Sequence, residues 1–286
     1  MSRIRTLFLT TALVAASSST ATAGTVSPVQ SGATPFGLEP VGDVQLRGSD
    51  SDAADFQSND LPGLQEIVNN TLTERQSINS LSSIALNPND LVINGDSEVR
   101  AYFVGEGAGY RNSLGIYTGD SSEGLTGDAA LIFPDASTSG VYSYLDSDYR
   151  SRGAPVAPGD FVDLGTYEDG TQLNLFLVAN GAGGGTNTYY TDMDLNADGI
   201  DHFVMLATPG NPYLLIGTED LYGGGDQDYN DVVVALEVGV ATTRVLMAKA
   251  APLPGPLAAL LGPVLFGVLL VVKRRRREGF NAVVPA

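Results

Sequence analysis

From about Leu91 to Val238, short apolar runs alternate with clusters of Gly, Asn and Asp, and no stretch keeps helical spacing. The clearest runs are 99–104, 161–164, 173–178, 202–206, 213–216 and 232–238. In the last of these, Val232, Val234, Leu236 and Val238 alternate with Val233, Ala235, Glu237 and Gly239. That is the two-residue period of a strand with one strongly apolar face. Many short strands separated by turn residues predict an all-β fold, an antiparallel β-sandwich over residues 91–240. A stretch of that length can bury about 68–70% of its unfolded surface in a single core.

The flanking segments read differently. Residues 24–58 are rich in Ser, Gly, Ala, Pro and Asp without periodicity, the texture of a disordered leader or linker. Residues 59–90 form a helical segment: Asp60 precedes Leu61-Pro62 as a helix start, and Leu64, Ile67, Val68, Leu72, Ile78 and Leu81 recur at helical spacing. One amphipathic helix is expected there, packed on the sandwich because an isolated helix of that length is marginal in water. Residues 241–251 read as a linker.

Both ends carry addresses. Arg3 and Arg5 precede an apolar run and then Ala21-Thr22-Ala23, the pattern of a signal peptide spanning residues 1–23. Residues 252–272 are apolar or Gly/Pro throughout and about long enough to cross a bilayer. Lys273-Arg274-Arg275-Arg276-Arg277 follows at once, which puts residues 278–286 in the cytoplasm as a short tail and residues 24–250 outside. A plain membrane anchor accounts for this pattern. Ala251-Pro252-Leu253-Pro254-Gly255, the apolar helix and the Arg-rich end also resemble the V-P-L-P-A variant of the PEP-CTERM sorting signals, differing at the first and last motif positions and in the residues after the basic cluster. The resemblance implies a sorting signal over 252–277, a temporary anchor recognised by an exosortase-like protease, in exopolysaccharide-producing bacteria.

Charge and composition exclude several functions. The 286-residue chain carries a net charge of −18, no Cys, no Trp and one His. Residues 24–250 hold 32 acids and 8 bases, a net −24, so the clustered cations needed to bind a nucleic-acid backbone are missing. Without Cys there is no disulfide framework, thiolate metal site or cysteine nucleophile. Gly181-Ala182-Gly183-Gly184-Gly185 has no G-K-[ST] after it and is read as a mobile loop instead of a phosphate loop.

The acids gather in two loops. Asp192, Asp194, Asn196, Asp198 and Asp201 place oxygen side chains at close intervals, with Gly199 to turn the backbone. Asp194, Asn196, Asp198 and Gly199 match the opening of an EF-hand loop, but its twelfth position is Met205 instead of a bidentate Glu. The second loop holds Glu219, Asp220, Asp226, Asp228 and Asp231 around Gly223-Gly224-Gly225, with no base. Two unit charges about 6 Å apart repel by roughly 0.7 kcal/mol even at water's dielectric. A divalent cation, Ca²⁺ by the oxygen ligands, removes that repulsion; the alternative for each loop is a solvated acidic turn whose Asp and Asn cap their own backbone. His202 is expected to bond a loop carboxylate or backbone group, since calcium prefers oxygen to imidazole nitrogen.

Asn196-Ala197-Asp198-Gly199-Ile200-Asp201-His202, then Gly217-Thr218-Glu219-Asp220, then Gly224-Gly225-Asp226-Gln227-Asp228-Tyr229-Asn230-Asp231 together resemble a secreted bacterial domain of unknown function, number four-one-one-four. Asn112 to Tyr117, Leu131 to Pro134 and Pro158-Gly159-Asp160 fit it more loosely, so the resemblance spans about residues 95–240. It implies a β-rich, calcium-binding extracellular module and no established activity. The expected function is a non-enzymatic, calcium-stabilised surface or matrix module, exported and transiently anchored in the membrane. The alternative is a carbohydrate-binding module or a glycosidase acting on exopolysaccharide, with Tyr142, Tyr144, Tyr149, Tyr189 and Tyr190 available to stack on sugars.

Overall fold

The computed structural model describes residues 24–73, 75–77, 85–139 and 149–250. The signal peptide, the sorting signal with its membrane helix, and the 278–286 tail lie outside the described residues, as do Ile78, Leu81, Tyr142 and Tyr144. Among the described residues no helix is long and apolar enough to cross a membrane.

Two antiparallel sheets face each other. The strands are β1 (Ser97–Gly105), β2 (Ser113–Thr118), β3 (Ala130–Phe133), β4 (Phe161–Tyr167), β5 (Leu173–Val178), β6 (Thr188–Tyr190), β7 (Phe203–Ala207), β8 (Tyr213–Thr218) and β9 (Val232–Glu237). One sheet runs β4-β1-β9-β8-β7 and the other β3-β2-β5-β6. All six apolar runs read from the sequence are strands. The three missed, β2, β3 and β6, are short and offer little alternation.

The core between the sheets takes Phe103, Leu114, Phe133, Leu175, Leu177, Met205 and Ile216, together with Val232, Val234 and Leu236 of β9. The other face of β9 is not solvated. Val233 and Ala235 are buried with Tyr102, Val104, Tyr213 and Leu215 under a helical stretch that contributes Phe56, Leu61, Leu64, Val68 and Leu72. The five-stranded sheet is therefore covered on both faces, which explains why β9 is apolar at consecutive positions where a half-solvated strand would alternate.

That covering stretch corrects two sequence expectations. It begins at Ser51, nine residues before Asp60, with α1 (Ser51–Asp55), a π turn (Phe56–Asp60) and α2 (Leu61–Thr71). Its N-cap is Asp50, whose side chain accepts from the Ala53 amide at 2.7 Å. Residues 24–58 are thus not a disordered leader. The backbone of Gln45 exchanges hydrogen bonds with Phe161 on β4 (2.7 and 3.1 Å), and Val41 and Glu39 bond both sides of Leu131 on β3 (2.8 and 2.9 Å). Strands β4 and β3 are the edges of their sheets. The leader satisfies edge N–H and C=O groups that would otherwise face water or another chain. A segment docked through its backbone needs few apolar side chains, so its composition looks like that of a linker.

The expected 241–251 linker is also ordered as far as residue 250. Helix α3 (Gly239–Lys249) buries Thr242, Thr243 and Leu246; Thr242 Oγ1 accepts from the Asn94 amide at 3.0 Å and Thr243 Oγ1 donates to the Asn211 carbonyl at 2.9 Å.

Candidate metal centre

Strands β8 and β9 pair down to Thr218 opposite Val232, and the connection 219–231 leaves from that last pair. The Thr218 side chain closes its base, accepting from the Val232 amide and donating to the Val232 carbonyl, both at 3.1 Å. Beyond it the backbone is wound tightly. Gly223, Gly224 and Gly225 have φ of 78°, 79° and 50°, and Gln227 and Tyr229 are both left-handed at 58°. For a bulky residue such as Tyr this conformation is strained and persists only where the surroundings enforce it.

Glu219 supplies that enforcement. Its Oε1 accepts from the amides of Asp228 (3.0 Å) and Tyr229 (3.3 Å), gathering the far end of the loop onto its own start. Asp228 is held as well: its Oδ1 accepts from the Asn230 amide at 3.2 Å and its Oδ2 from the Arg75 amide at 2.7 Å, just past the end of α2. Ser77 Oγ donates to the Asp226 carbonyl at 2.5 Å. The result is a group of three carboxylates, Glu219, Asp226 and Asp228, whose ligand oxygens all lie within 4.8 Å of one another. Glu219 and Asp228 are buried and Asp226 is exposed.

The donor set fits a hard divalent cation. Oxygens up to 4.8 Å apart can share an ion at about 2.3–2.6 Å, and the exposed Asp226 side leaves room for water ligands. Gly225 sits against the group: a Cβ there would come within 2.7 Å of Glu219 Oε2. Burial pushes the Glu219 carboxyl up to about 8, and the charges of Asp228 and Asp226 add to this against the pull of the Tyr229 and Asp228 amides. A cation at this position would reverse that balance.

The other expected ligands do not join this group. Asp192 caps a 3-10 turn, its Oδ1 accepting from the Asp194 amide (3.0 Å) and its Oδ2 from Ser121 Oγ (2.7 Å), while Asp194 itself is exposed. The Asn196 amide is consumed by backbone: its Oδ1 accepts from Tyr190 N, and its Nδ2 donates to the Tyr190 and Ile200 carbonyls. Asp201 is exposed, and burial of its carboxyl's surroundings raises its pKa. The EF-hand-like spacing here builds a turn, in which backbone amides claim one oxygen of Asp192 and that of Asn196.

Asp198 joins the two loops through His202. The imidazole is fully buried, with Nδ1 hydrogen-bonded to the Glu219 carbonyl and Nε2 to Asp198 Oδ2, both at 2.9 Å; Oδ2 also accepts from the Gly223 amide at 2.8 Å. The ring stacks on Tyr189 with centroids 3.7 Å apart and planes 10° from parallel. This matches the bonding role expected of His202. His202→Ala is expected to destabilise the protein by about 3 kcal/mol, from lost packing, the buried Glu219 carbonyl left unmet and Asp198 Oδ2 left with the Gly223 amide alone. Chemical denaturation measures it, and a loss under about 1 kcal/mol would mean that the bridge carries little.

Asp220 and Asp231 are not among the three converging carboxylates. Asp231 Oδ2 accepts from the Asp220 amide at 2.8 Å, and Asp220 Oδ2 accepts from Asn112 Nδ2 at 2.7 Å, a bond that ties β8 to the start of β2 across the two sheets. Burial first, and then the Asp220 charge, push Asp231 up to about 9. Glu106 lies near them and was missed in the sequence: it is buried just beyond β1, its Oε2 accepts from the Thr138 amide at 2.7 Å, and burial raises it to about 8. The available signal was an acid at the end of an otherwise apolar strand. Asp135, ion-paired with Arg111, and Asn112 belong to the same interior cluster.

Comparison with known proteins returned one match. No curated protein and no solved structure matches the chain. A family model does match residues 167–239, a stretch that begins at the last residue of β4 and takes in β5 to β9 and both acidic loops. It is shorter than the 95–240 resemblance read from the motifs, and it contains the Glu219–Asp226–Asp228 group and the His202 bridge. Residues 167–239 of this chain match the model of the family described as a domain of unknown function, DUF4114.

Proposed function

We propose that the chain is a non-enzymatic, calcium-stabilised extracellular module, exported by its N-terminal signal peptide and anchored for a time by its PEP-CTERM-like C-terminal segment until an exosortase-like protease releases it. The observation that carries the calcium reading is the convergence of Glu219, Asp226 and Asp228, two of them buried, within 4.8 Å. A bound calcium ion would supply positive charge that lets all three ionise together. The chain's own residues do the rest. Glu219 gathers the loop, and the Asp228 bond to the Arg75 amide holds the helical cover against it. The export reading rests on the terminal sequence patterns, and the strongly acidic middle of the chain suits a solvated exterior.

Thermal unfolding of the full chain tests the metal reading. Millimolar Ca²⁺ is expected to raise Tm by several degrees over EDTA and by more than Mg²⁺ does, since an ion at a hundredfold excess over its Kd adds about 2.7 kcal/mol. Asp228→Asn is expected to melt at one temperature in calcium and in chelator. Superimposable melts of the parent protein in the two conditions would overturn the assignment.

A second reading, glycan binding, is favoured by one observation. Tyr110 and Tyr222, both exposed, stand two residues to either side of the hydrogen-bonded pair Asn112 and Asp220. Of the tyrosines expected as a platform, Tyr189 is buried and Tyr149 is exposed. Loss of glycan-array binding in a Tyr110→Ala/Tyr222→Ala protein would support this reading; no binding by the parent would remove it.

A further inference from the structure

Ahead of α1 the chain pairs with itself outside the β4 edge of the five-stranded sheet. Val26 bridges Gln45; the Leu46 amide donates to the Thr25 carbonyl at 2.7 Å, and the Ser27 amide to the Val44 carbonyl at 2.8 Å. This pairing sets Gly24 against two buried polar atoms that have no hydrogen-bond partner among the described residues, Gln45 Oε1 and Ser49 Oγ. The Gln45 amide group is oriented by its Nε2, which donates to the Asp43 carbonyl at 3.3 Å.

Contact distances define the space beside Gly24. A carbon added to its α-carbon in the side-chain position would lie 2.7 Å from Ser49 Oγ, 3.3 Å from Gln45 Oε1 and 2.7 Å from Phe161 Cζ. Phe161 is fully buried and held in place, with the Arg100 guanidinium 4.1 Å over its ring. A side chain at residue 24 would therefore press on a fixed ring. A nitrogen donor in the same position would instead stand at hydrogen-bonding distance from both unmet atoms. Buried polar atoms without partners are rare and costly, so a donor is the group this space calls for.

The sequence places such a donor here. Gly24 directly follows the Ala21-Thr22-Ala23 motif that ends the signal peptide pattern. Hydrolysis of the Ala23–Gly24 bond consumes one water, leaves the carboxylate on the departing peptide, and turns the Gly24 nitrogen into an α-ammonium with three donors. Once residue 23 has left, rotation about the Gly24 Cα–C bond can carry that nitrogen into the side-chain position. Its bond to the α-carbon, about 1.46 Å, gives it nearly the reach of a side-chain carbon. A small withdrawal of the freed residue clears the Phe161 ring.

We propose that the α-ammonium of Gly24 is bound by Gln45 Oε1 and Ser49 Oγ beside Phe161, so that removal of the signal peptide completes this edge of the fold. The inference rests on the export reading above and adds to it a use for the new terminus.

The test uses the full chain expressed with its signal peptide and purified after export. Intact mass identifies the first residue. Amine acylation at pH 7 then reads the terminus, because the processed chain has only three kinds of amine to label: Gly24, Lys249 and Lys273. Relative to exposed Lys249, Gly24 is expected to label about tenfold more slowly in the folded protein than in urea, as one charge-assisted hydrogen bond would make it. Gln45→Met and Ser49→Ala should each bring the folded rate back toward the urea rate. A terminus that stays slow in both variants is merely covered, which would overturn the assignment. Where a variant does not fold, the parent decides: protein acetylated at Gly24 in urea and refolded should melt several degrees below protein acetylated at its lysines alone, and equal melting would count against capture. A first residue other than Gly24 would sink this inference together with the predicted cleavage site. A chain that begins at Gly24 but labels equally fast folded and unfolded would sink the capture alone and leave the export reading standing.

Discussion

Phe56→Ala is expected to destabilise the protein by about 3–5 kcal/mol, the range for emptying a well-packed aromatic site. Phe56 is fully buried, stacks on Tyr102 with centroids 3.8 Å apart, and meets Tyr213 edge-on at 5.1 Å. Both tyrosines belong to the five-stranded sheet, so the substitution opens a cavity where the helical cover meets it. In a domain of this size such a loss lowers Tm by on the order of 10 °C. The result separates two pictures of residues 24–73. If they were a dispensable leader, the variant would melt with the parent. If they are part of the folded unit, the loss should equal that of a core substitution such as Phe103→Ala on the opposite face of β1. A change below about 1 kcal/mol would remove the cover from the core.

In chelator, stability is expected to fall as pH rises from 5 to 9. Burial raises Glu106 and Glu219 to about 8 and Asp231 to about 9, so the folded protein keeps protons that the unfolded chain releases near pH 4 to 5. Between those limits the native state binds more protons than the unfolded state, and the slope of stability against pH is negative. The contribution is fully present below the unfolded pKa values and is lost as pH passes through the folded ones. A tenfold difference in proton affinity between the folded and unfolded chain is worth about 1.4 kcal/mol, so the three acids together contribute on the order of several kcal/mol. Calcium reverses the trend at Glu219, because an ion needs the ionised carboxylate. The Tm gain from Ca²⁺ should therefore grow with pH, and Glu219→Gln should flatten part of the chelator slope. A chelator Tm that is level or rises from pH 5 to 9 would show that these acids are already ionised in the folded state.

Much of the sandwich was legible because its signals are local. The apolar runs at 173–178 and 213–216 needed only β-rich composition bounded by turn residues, and both are strands. Helix α2 was legible from Leu64, Val68 and Leu72, which all pack on the sheet. The start at Ser51 was not, because Asp50 and Ala53 look like loop residues until Phe56 is seen on Tyr102. The acidic loops were legible as dense charge at the ends of strands. Which acids converge was not. Asp226 and Asp228 reach Glu219 only because Gln227 and Tyr229 are left-handed, and neither residue type announces that conformation.

The periodicity of 232–238, the turn residues and the bond-forming place of His202 beside Asp198 and Asp201 depend on neighbours a few positions away, so the chain's order alone carries them. Three other features exist only once distant segments meet. Residues 39–45 become ordered because edge strands β3 and β4 have backbone groups to satisfy. The second face of β9 is buried because a helix from residues 51–71 lies over it. Asp192 and Asn196 are spent on turns while Glu219 and Asp228 converge, because backbone amides brought by folding compete for some carboxylates and orient others. A hydrogen-bond donor from about 150 residues away, as Arg75 is from Asp228, leaves no mark on local composition, and that is where sequence and tertiary structure part.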